Sequence, residues 1–187
     1  MATLMGEAPL TARYRGLMRV EPVTPALHGP LGELTVAAYR GLPGRPTSDG
    51  YAAMLRDVAS RAGEAEVLVA LDDDGSLLGG VTYVGDASNS WAEFEADDEA
   101  GFRMLAVSPQ ARGHGAGRAL VEACIECARR DGKSRLSLLT TANMTSAHRL
   151  YERLGFRRAP ESDMIVEDGL RLRSYVLDLA ERGVTHP

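Results

Sequence analysis

The segment Gln110-Ala111-Arg112-Gly113-His114-Gly115-Ala116-Gly117 sets three glycines at alternate positions between an apolar run and an amphipathic stretch. Glycine lets backbone N–H groups turn toward one point with no side chain in the way, and a helix start adds its positive dipole end. A phosphate fits such a loop. A tight strand-to-helix turn without a ligand fits the same residues. Two better-known phosphate loops are excluded. A P-loop requires Lys and then Ser or Thr after its last glycine, whereas Gly117 is followed by Arg118 and Ala119. A dinucleotide fingerprint belongs to the first βαβ unit, with an acid at the end of the next strand. Here the loop is mid-chain and the next apolar run closes on Thr140 and Thr141.

A second constellation follows at helical spacing. Asn143, Ala147 and Tyr151 stand at i, i+4 and i+8, so one helix face carries an amide, a gap and a phenol. Ala147 leaves room for a narrow ligand and Tyr151 can present its hydroxyl to it; a tyrosine at the edge of a core has the same pattern. Leu150, Leu154 and Phe156 are expected to face the core. His114 and His148 have no partner at metal-ligand spacing, so no metal is expected. His114 is expected to line the loop and His148 to face solvent.

Charge is segregated along the chain. From Asp72 to Phe102 there is no Lys or Arg, while Asp72, Asp73, Asp74, Asp86, Glu93, Glu95, Asp97, Asp98 and Glu99 are all acidic. From Phe102 to Val121 the balance reverses, with Arg103, Arg112 and Arg118 and no acid. The second block suits an anion. The first, with Trp91 and Phe94 inside it, suits a cationic amine through ion pairing and cation–π contact, or is a solvated loop.

The elements that must position these groups are legible in outline. Tyr14 to Val23 reads as a strand, and Ala26 to Tyr39 and Ser48 to Arg61 as helices parted by a Gly/Pro-rich break at 41–46. Val67 to Leu71 and Leu77 to Val84 form a hairpin around Asp73-Asp74-Gly75, and Gly85 to Ala100 is an acidic loop before a strand from Phe102 to Val107. Leu120, Val121, Cys124, Ile125 and Ala128 form the apolar stripe of a helix over 115–130, with Cys124 and Cys127 read as buried thiols. A strand at 136–140, a helix at 144–154 and strands at 156–158, 164–166 and 172–179 complete the order.

The run Phe102 to Pro109, the loop Arg112 to Gly117, and the pattern Asn143…Ala147…Leu150-Tyr151…Leu154-Gly155-Phe156 together resemble the acetyl-CoA motifs of the GNAT superfamily of acetyltransferases. The resemblance implies an α/β (α+β) fold with a mixed, mostly antiparallel twisted sheet of about seven strands and about four helices. The sheet is expected to splay between the strands at 102–107 and 136–140. Residues 13–180 would form one domain, with 1–12 and 181–187 as tails. The strand Leu105, Ala106, Val107 would offer its backbone to the pantetheine arm as if to an added strand. The loop Arg112, Gly113, His114, Gly115, Ala116, Gly117 would hold the pyrophosphate with Arg118 nearby, and Asn143, Ser146 and Ala147 would line the rest of the cofactor. Tyr151 would be the general acid to the CoA thiolate after direct attack by a neutral amine, with acetyl-CoA or another short acyl-CoA as co-substrate.

One position departs from the pattern. Many relatives place a Glu as general base where this chain has Gly101, which carries no base. By strand alternation Glu99 points to the same face about 7 Å away and could act through a water; water, Glu95 or another group are alternatives. Trp91, Phe94 and Glu95 are the candidate acceptor contacts. Gly101 also supports a competing expectation, a non-catalytic acyl-CoA-binding sensor or interaction domain with the same fold.

Composition bounds the rest. The 187 residues are 44% apolar and 25% charged with net charge −5, so the chain can bury a core and lacks the concentrated basic surface of a nucleic-acid binder. No run approaches the roughly 18 apolar residues of a membrane span, and the first residues lack the build of a secretory signal. A cytoplasmic location is expected. A homodimer is compatible with the resemblance, and no patch in the sequence decides it.

Overall fold

A computed structural model describes residues 12–14, 18–40, 42, 48–166 and 169–179. The expected tails, apart from Ala12, and most of the break at 41–46 lie outside the described residues. Where one first strand is expected, two antiparallel strands stand, β1 (Ala12–Tyr14) and β2 (Met18–Pro22). They are followed by α1 (His28–Arg40), α2 (Asp49–Arg56) and α3 (Val58–Glu64). The single helix expected at 48–61 is divided at Asp57, whose backbone leaves the helical region and whose carboxylate accepts the Ser60 N–H at 3.1 Å. Arg61, only 1% exposed, then donates to the Met54 and Leu55 carbonyls at the end of α2, at 2.8 and 3.0 Å. Those carbonyls have no helical partner, and the buried guanidinium satisfies them.

β3 (Glu66–Asp72) and β4 (Leu77–Val84) form the expected hairpin. Asp72 closes it by accepting the N–H groups of Asp74 and Ser76, and Gly75 supplies the positive φ of +82°. Val67 to Leu71 is buried throughout because the strand is covered on both faces. Leu68 and Ala70 join the core under the next long helix, while Val67, Val69 and Leu71 pack with Leu31 of α1 and Val58 of α3.

β5 (Glu99–Val107) begins three residues earlier than expected, so Glu99 and Ala100 belong to the strand and not to the acidic loop. It is followed by α4 (Ala116–Arg130), β6 (Arg135–Thr141), α5 (Thr145–Arg153), and β7 (Arg157–Arg158), β8 (Met164–Ile165) and β9 (Arg171–Asp178). The whole expected stripe of α4 is buried, together with both cysteines. The sheet runs β1-β2-β3-β4-β5-β6-β9-β7, with β8 also on β9. Among the described residues only β5 and β6 pair in parallel, and only from Glu99↔Arg135 to Gly101↔Ser137. Beyond Gly101 the two strands part, which is the expected splay of a mixed, mostly antiparallel sheet.

A β-bulge lies at the point of parting. Thr82 pairs with Arg103 and Gly80 with Ala106, so Val81 is opposed by both Met104 and Leu105, and Met104 takes φ +55°. The bulge shifts the alternation. Met104 joins Val36, Ala52 and Leu55 on the α1–α2 face, whereas Leu105 packs against the core under α4.

Candidate active site

The larger cleft, about 740 Å³, opens where β5 has left β6. Its walls are the C-terminal end of α1, the end of β5, the loop into α4, and α5 with its leading turn. Leu105, Ala106 and Val107 form one side, with no β6 pairing along that stretch. Gly113 and Gly115 take φ +80° and +93°, a region that favours glycine, and a Cβ on either would meet nothing within 4 Å. The loop is therefore open on the side its glycines expose. Ala116, Gly117 and Arg118 are the first residues of α4, whose N–H groups have no acceptor within the helix. Arg112 and Arg118 line the cleft, although Arg118 also pairs with Glu122 at 2.7 Å. These features fit a pyrophosphate: open backbone donors, a helix N-terminus of a long helix, and two guanidinium groups.

The opposite wall holds Asn143, Ser146, Ala147 and Tyr151, with Leu150 and Leu154, which also pack against the core. Asn143 stands in the turn before α5 and not on the helix, which starts at Thr145. Between Arg112 and Gly117, His114 is the one residue absent from the wall. Its ring is exposed and its Nδ1 lies 3.0 Å from the Arg112 carbonyl oxygen. The expectation that His148 faces solvent is overturned. His148 is buried, its Nε2 lies 2.9 Å from the Thr141 carbonyl oxygen, and its ring stacks on Tyr175 at 5.3 Å. His148 and Tyr151 stand at i and i+3 on α5, and both rings pack against Tyr175 of β9.

Tyr151 is 3% exposed and is fixed by three rings, with centroid distances of 6.0 Å to Phe102, 5.9 Å to Phe156 and 6.0 Å to Tyr175. Burial first, with smaller contributions from Tyr39 and Cys124, holds its phenol well above the ordinary tyrosine range. It is therefore protonated at neutral pH. Cys124 and Cys127 are free and buried under α4; burial pushes Cys127 up to about 12 and Cys124 well above its usual value. Neither is a thiolate nucleophile.

A smaller pocket of about 390 Å³ lies on the other side of the splay. It brings together Trp91, Phe94 and Glu95 of the acidic loop, Glu99, Gly101, Phe102 and Arg103 of β5, and Ser137 and Leu139 of β6, closed by Glu161, Ser162 and Ser174. Glu99, Gly101 and Arg103 share one face, as alternation requires. A Cβ on Gly101 would lie 3.0 Å from two atoms of the Phe94 ring. The ring thus occupies the space into which a side chain at 101 would grow. Asp97 and Asp98 stand outside this pocket, and the Asp98 carboxylate accepts from the Ser134 hydroxyl. Hydrogen bonding to Ser134 lowers the Asp98 carboxyl below its ordinary range.

Two groups of residues escaped the sequence reading. Ala38, Tyr39 and Leu42 cap the larger cleft, and no motif marks the end of α1. Arg103 enters the smaller pocket, pairing with Glu93 at 3.0 Å, donating to the Trp91 carbonyl at 3.1 Å and lying 5.5 Å from the Trp91 ring centroid. Its alternation with Glu99 and Gly101 was the available signal. Among the described residues no group of three or more potential metal ligands occurs, and no helix is long and apolar enough to cross a membrane.

The family model described as "Acetyltransferase (GNAT) family" matches residues 34–156. N-acetylaspartate synthetase of Rattus norvegicus is 38% identical over 88 residues, 47% of this chain and 28% of that protein. The protein of the same name from Danio rerio is 41% identical over 69 residues, 37% of this chain and 24% of that one. The chain thus spans about a quarter of the length of these curated relatives. An acetyltransferase structure from Salmonella typhimurium with its cofactor acetyl-CoA has a TM-score of 0.66 and 23% identity, covering 90% of this chain and 98% of that one. That similarity is one of fold.

Proposed function

Because the chain belongs to the acetyltransferase (GNAT) family, we propose that it moves an acetyl group from acetyl-CoA to the primary amine of a cationic small molecule. One observation carries this reading: the two clefts share a wall. Phe102 lines the smaller pocket, Tyr151 lines the larger cleft, and their rings meet edge-on at 6.0 Å. A donor laid along β5 and an acceptor held beneath Gly101 approach each other there. Residues 13–180 act as a single catalytic domain in this reading.

The glycine loop with Arg112 and Arg118 holds the pyrophosphate, the free edge of Leu105 to Val107 extends along the pantetheine, and Asn143, Ser146 and Ala147 close the other side. Acetyl-CoA supplies the thioester. Glu99, through a water, takes the proton from the incoming ammonium; it lies two residues from Gly101 on the same face, about 7 Å along the strand. The neutral amine forms the C–N bond, the C–S bond breaks, and Tyr151 hydrogen-bonds the departing sulfur and gives it a proton. The amide nitrogen loses its second proton as the phenol is restored. An ordinary phenol is about 1.5 pKa units above a thiol, a cost of roughly 2 kcal/mol for full transfer. Burial of Tyr151 adds to that cost, so its contribution is partial donation in the transition state.

The acceptor pocket is lined by Glu93, Glu95, Glu99 and Glu161 against one cation, Arg103. With Trp91 and Phe94 beside them, these carboxylates favour a cationic amine. The test is CoA-thiol release over a panel of cationic and neutral amines, repeated with Glu95, Glu99 and Glu161 changed together to Gln. Preference for cationic amines, lost in the triple variant, supports the assignment. An unchanged amine profile refutes the acceptor class. A second reading, an acyl-CoA sensor without catalysis, rests on Gly101 and the Phe94 ring over it; it requires acetyl-CoA binding with no turnover of any amine.

A further inference from the structure

The guanidinium of Arg103 is incompletely used. Its Nη1 donates to the Trp91 carbonyl and its Nη2 pairs with Glu93 at 3.0 Å, but its Nε is buried and has no partner. The indole Nε1 of Trp91, in the same pocket wall, is also buried and unpartnered. A buried donor without an acceptor is costly, and the one protein carboxylate at Arg103 leaves both of these donors unsatisfied. Nε and Nη2 form the side edge of the guanidinium, the fork that a carboxylate grips with both oxygens. Glu93 reaches only one prong.

We propose that Arg103 reads a carboxylate on the acceptor, which makes the acceptor a free amino acid that carries its reacting amine at the far end of its side chain. This inference rests on the acetyl-transfer reading above and refines its acceptor. The pocket is bipolar. Glu99 stands four residues from Arg103 on the same strand face, about 13 Å along the backbone, with Gly101 between them. The ammonium belongs at the Glu99 end, where its proton is removed. The carboxylate belongs at Arg103, where it takes both Nε and Nη2 and displaces Glu93. Trp91 packs beside the guanidinium and keeps the fork from turning to solvent. In the absence of acceptor Glu93 neutralises the cation; its side chain is 27% exposed and can leave to water.

The experiment compares lysine with lysinamide and ornithine with ornithinamide as acceptors, by CoA-thiol release, in wild type, Arg103→Gln and Glu93→Gln. An amide removes the carboxylate and leaves the acceptor more cationic, so a pocket that reads charge alone prefers the amides. The quantity read is the acid-to-amide ratio of kcat/KM in wild type divided by that in the variant, which cancels the amide's own lower ammonium pKa. A charge-assisted pair of hydrogen bonds predicts that the acid-to-amide ratio falls about 10- to 100-fold on Arg103→Gln, a quotient of about 10 to 100, carried by KM. Glu93→Gln frees the fork and lowers KM for the free acids by severalfold, an effect that misfolding cannot mimic. A ratio unchanged in both variants overturns the proposal while leaving acetyl transfer intact. Turnover of no amine at all, with acetyl-CoA bound, overturns the acetyl-transfer reading and this one with it.

Discussion

The Phe94 ring stands 3.0 Å from the point where a side chain on Gly101 would begin. Glycine at the splay lets the Phe94 ring close onto β5 without displacement, and the acidic loop walls the smaller pocket through this contact. Gly101→Ala should destabilise the protein by about 1–3 kcal/mol, the range for overpacking a filled site. Phe94→Ala should relieve most of that loss, so the two changes together cost less than their sum. Thermal denaturation of the four proteins in the cycle measures the coupling, and strict additivity would refute the contact.

Tyr151→Phe should lower kcat by about 10²- to 10³-fold, the contribution of a positioned acid. The affinity for acetyl-CoA should change little, because the ring contacts with Phe102, Phe156 and Tyr175 do not need the hydroxyl. Since burial holds the phenol above its ordinary value of about 10, wild-type kcat should show no loss of this acid below about pH 10. Steady-state kinetics over pH with calorimetric binding separates the two effects.

Gly115→Ala should weaken acetyl-CoA binding tenfold or more. The residue takes φ +93° at the head of α4, where an L side chain costs about 1–2 kcal/mol, and its Cβ would project into the open side of the loop. Titration of acetyl-CoA into the folded variant reads the loss directly.

The side of the smaller pocket lined by Ser162 and Ser174 is tied to Asp163. Its carboxylate receives both Nη atoms of Arg158 at 2.9 and 3.0 Å, the Ser174 N–H at 2.9 Å, and pairs with Arg171 at 3.3 Å. The Arg158 hydrogen bonds, first, and the Ser174 N–H hold its carboxyl below the ordinary range. A carboxylate with a depressed folded pKa stabilises above its unfolded value of about 3.9, and that stabilisation is lost as pH falls through the folded value. Asp163→Asn should thus be less stable than wild type at pH 7, with the gap narrowing between about pH 5 and pH 2. Parallel melting curves that keep a constant gap would refute the role.

The β5–loop–α4 unit was legible because its signals are local: glycines at alternate positions, an apolar strand before them and an i, i+4 stripe after them. Ala147 and Tyr151 reach the cleft wall at the helical spacing read from the sequence, whereas the role of Tyr151 as an acid was implied by the resemblance. What could not be read depends on contacts distant in sequence. The bulge at Met104 arises from the register of β5 on β4, and it decides that Met104 turns to the α1–α2 face. The break at Asp57 is a capping choice that a continuous helical pattern does not display. The burial of His148 follows from its stacking on Tyr175, a residue of the last strand. The acidic loop was visible as charge, but its closure over Gly101 by Phe94 is a tertiary contact.

The central claim is tested most directly by titrating acetyl-CoA calorimetrically while following CoA-thiol release with an amine panel on the same preparation. Binding of one acetyl-CoA per chain, with thiol release that depends on an added amine, is the predicted result. Failure of acetyl-CoA to bind a folded protein would contradict it, because the loop from Arg112 to Gly117 would then hold no pyrophosphate.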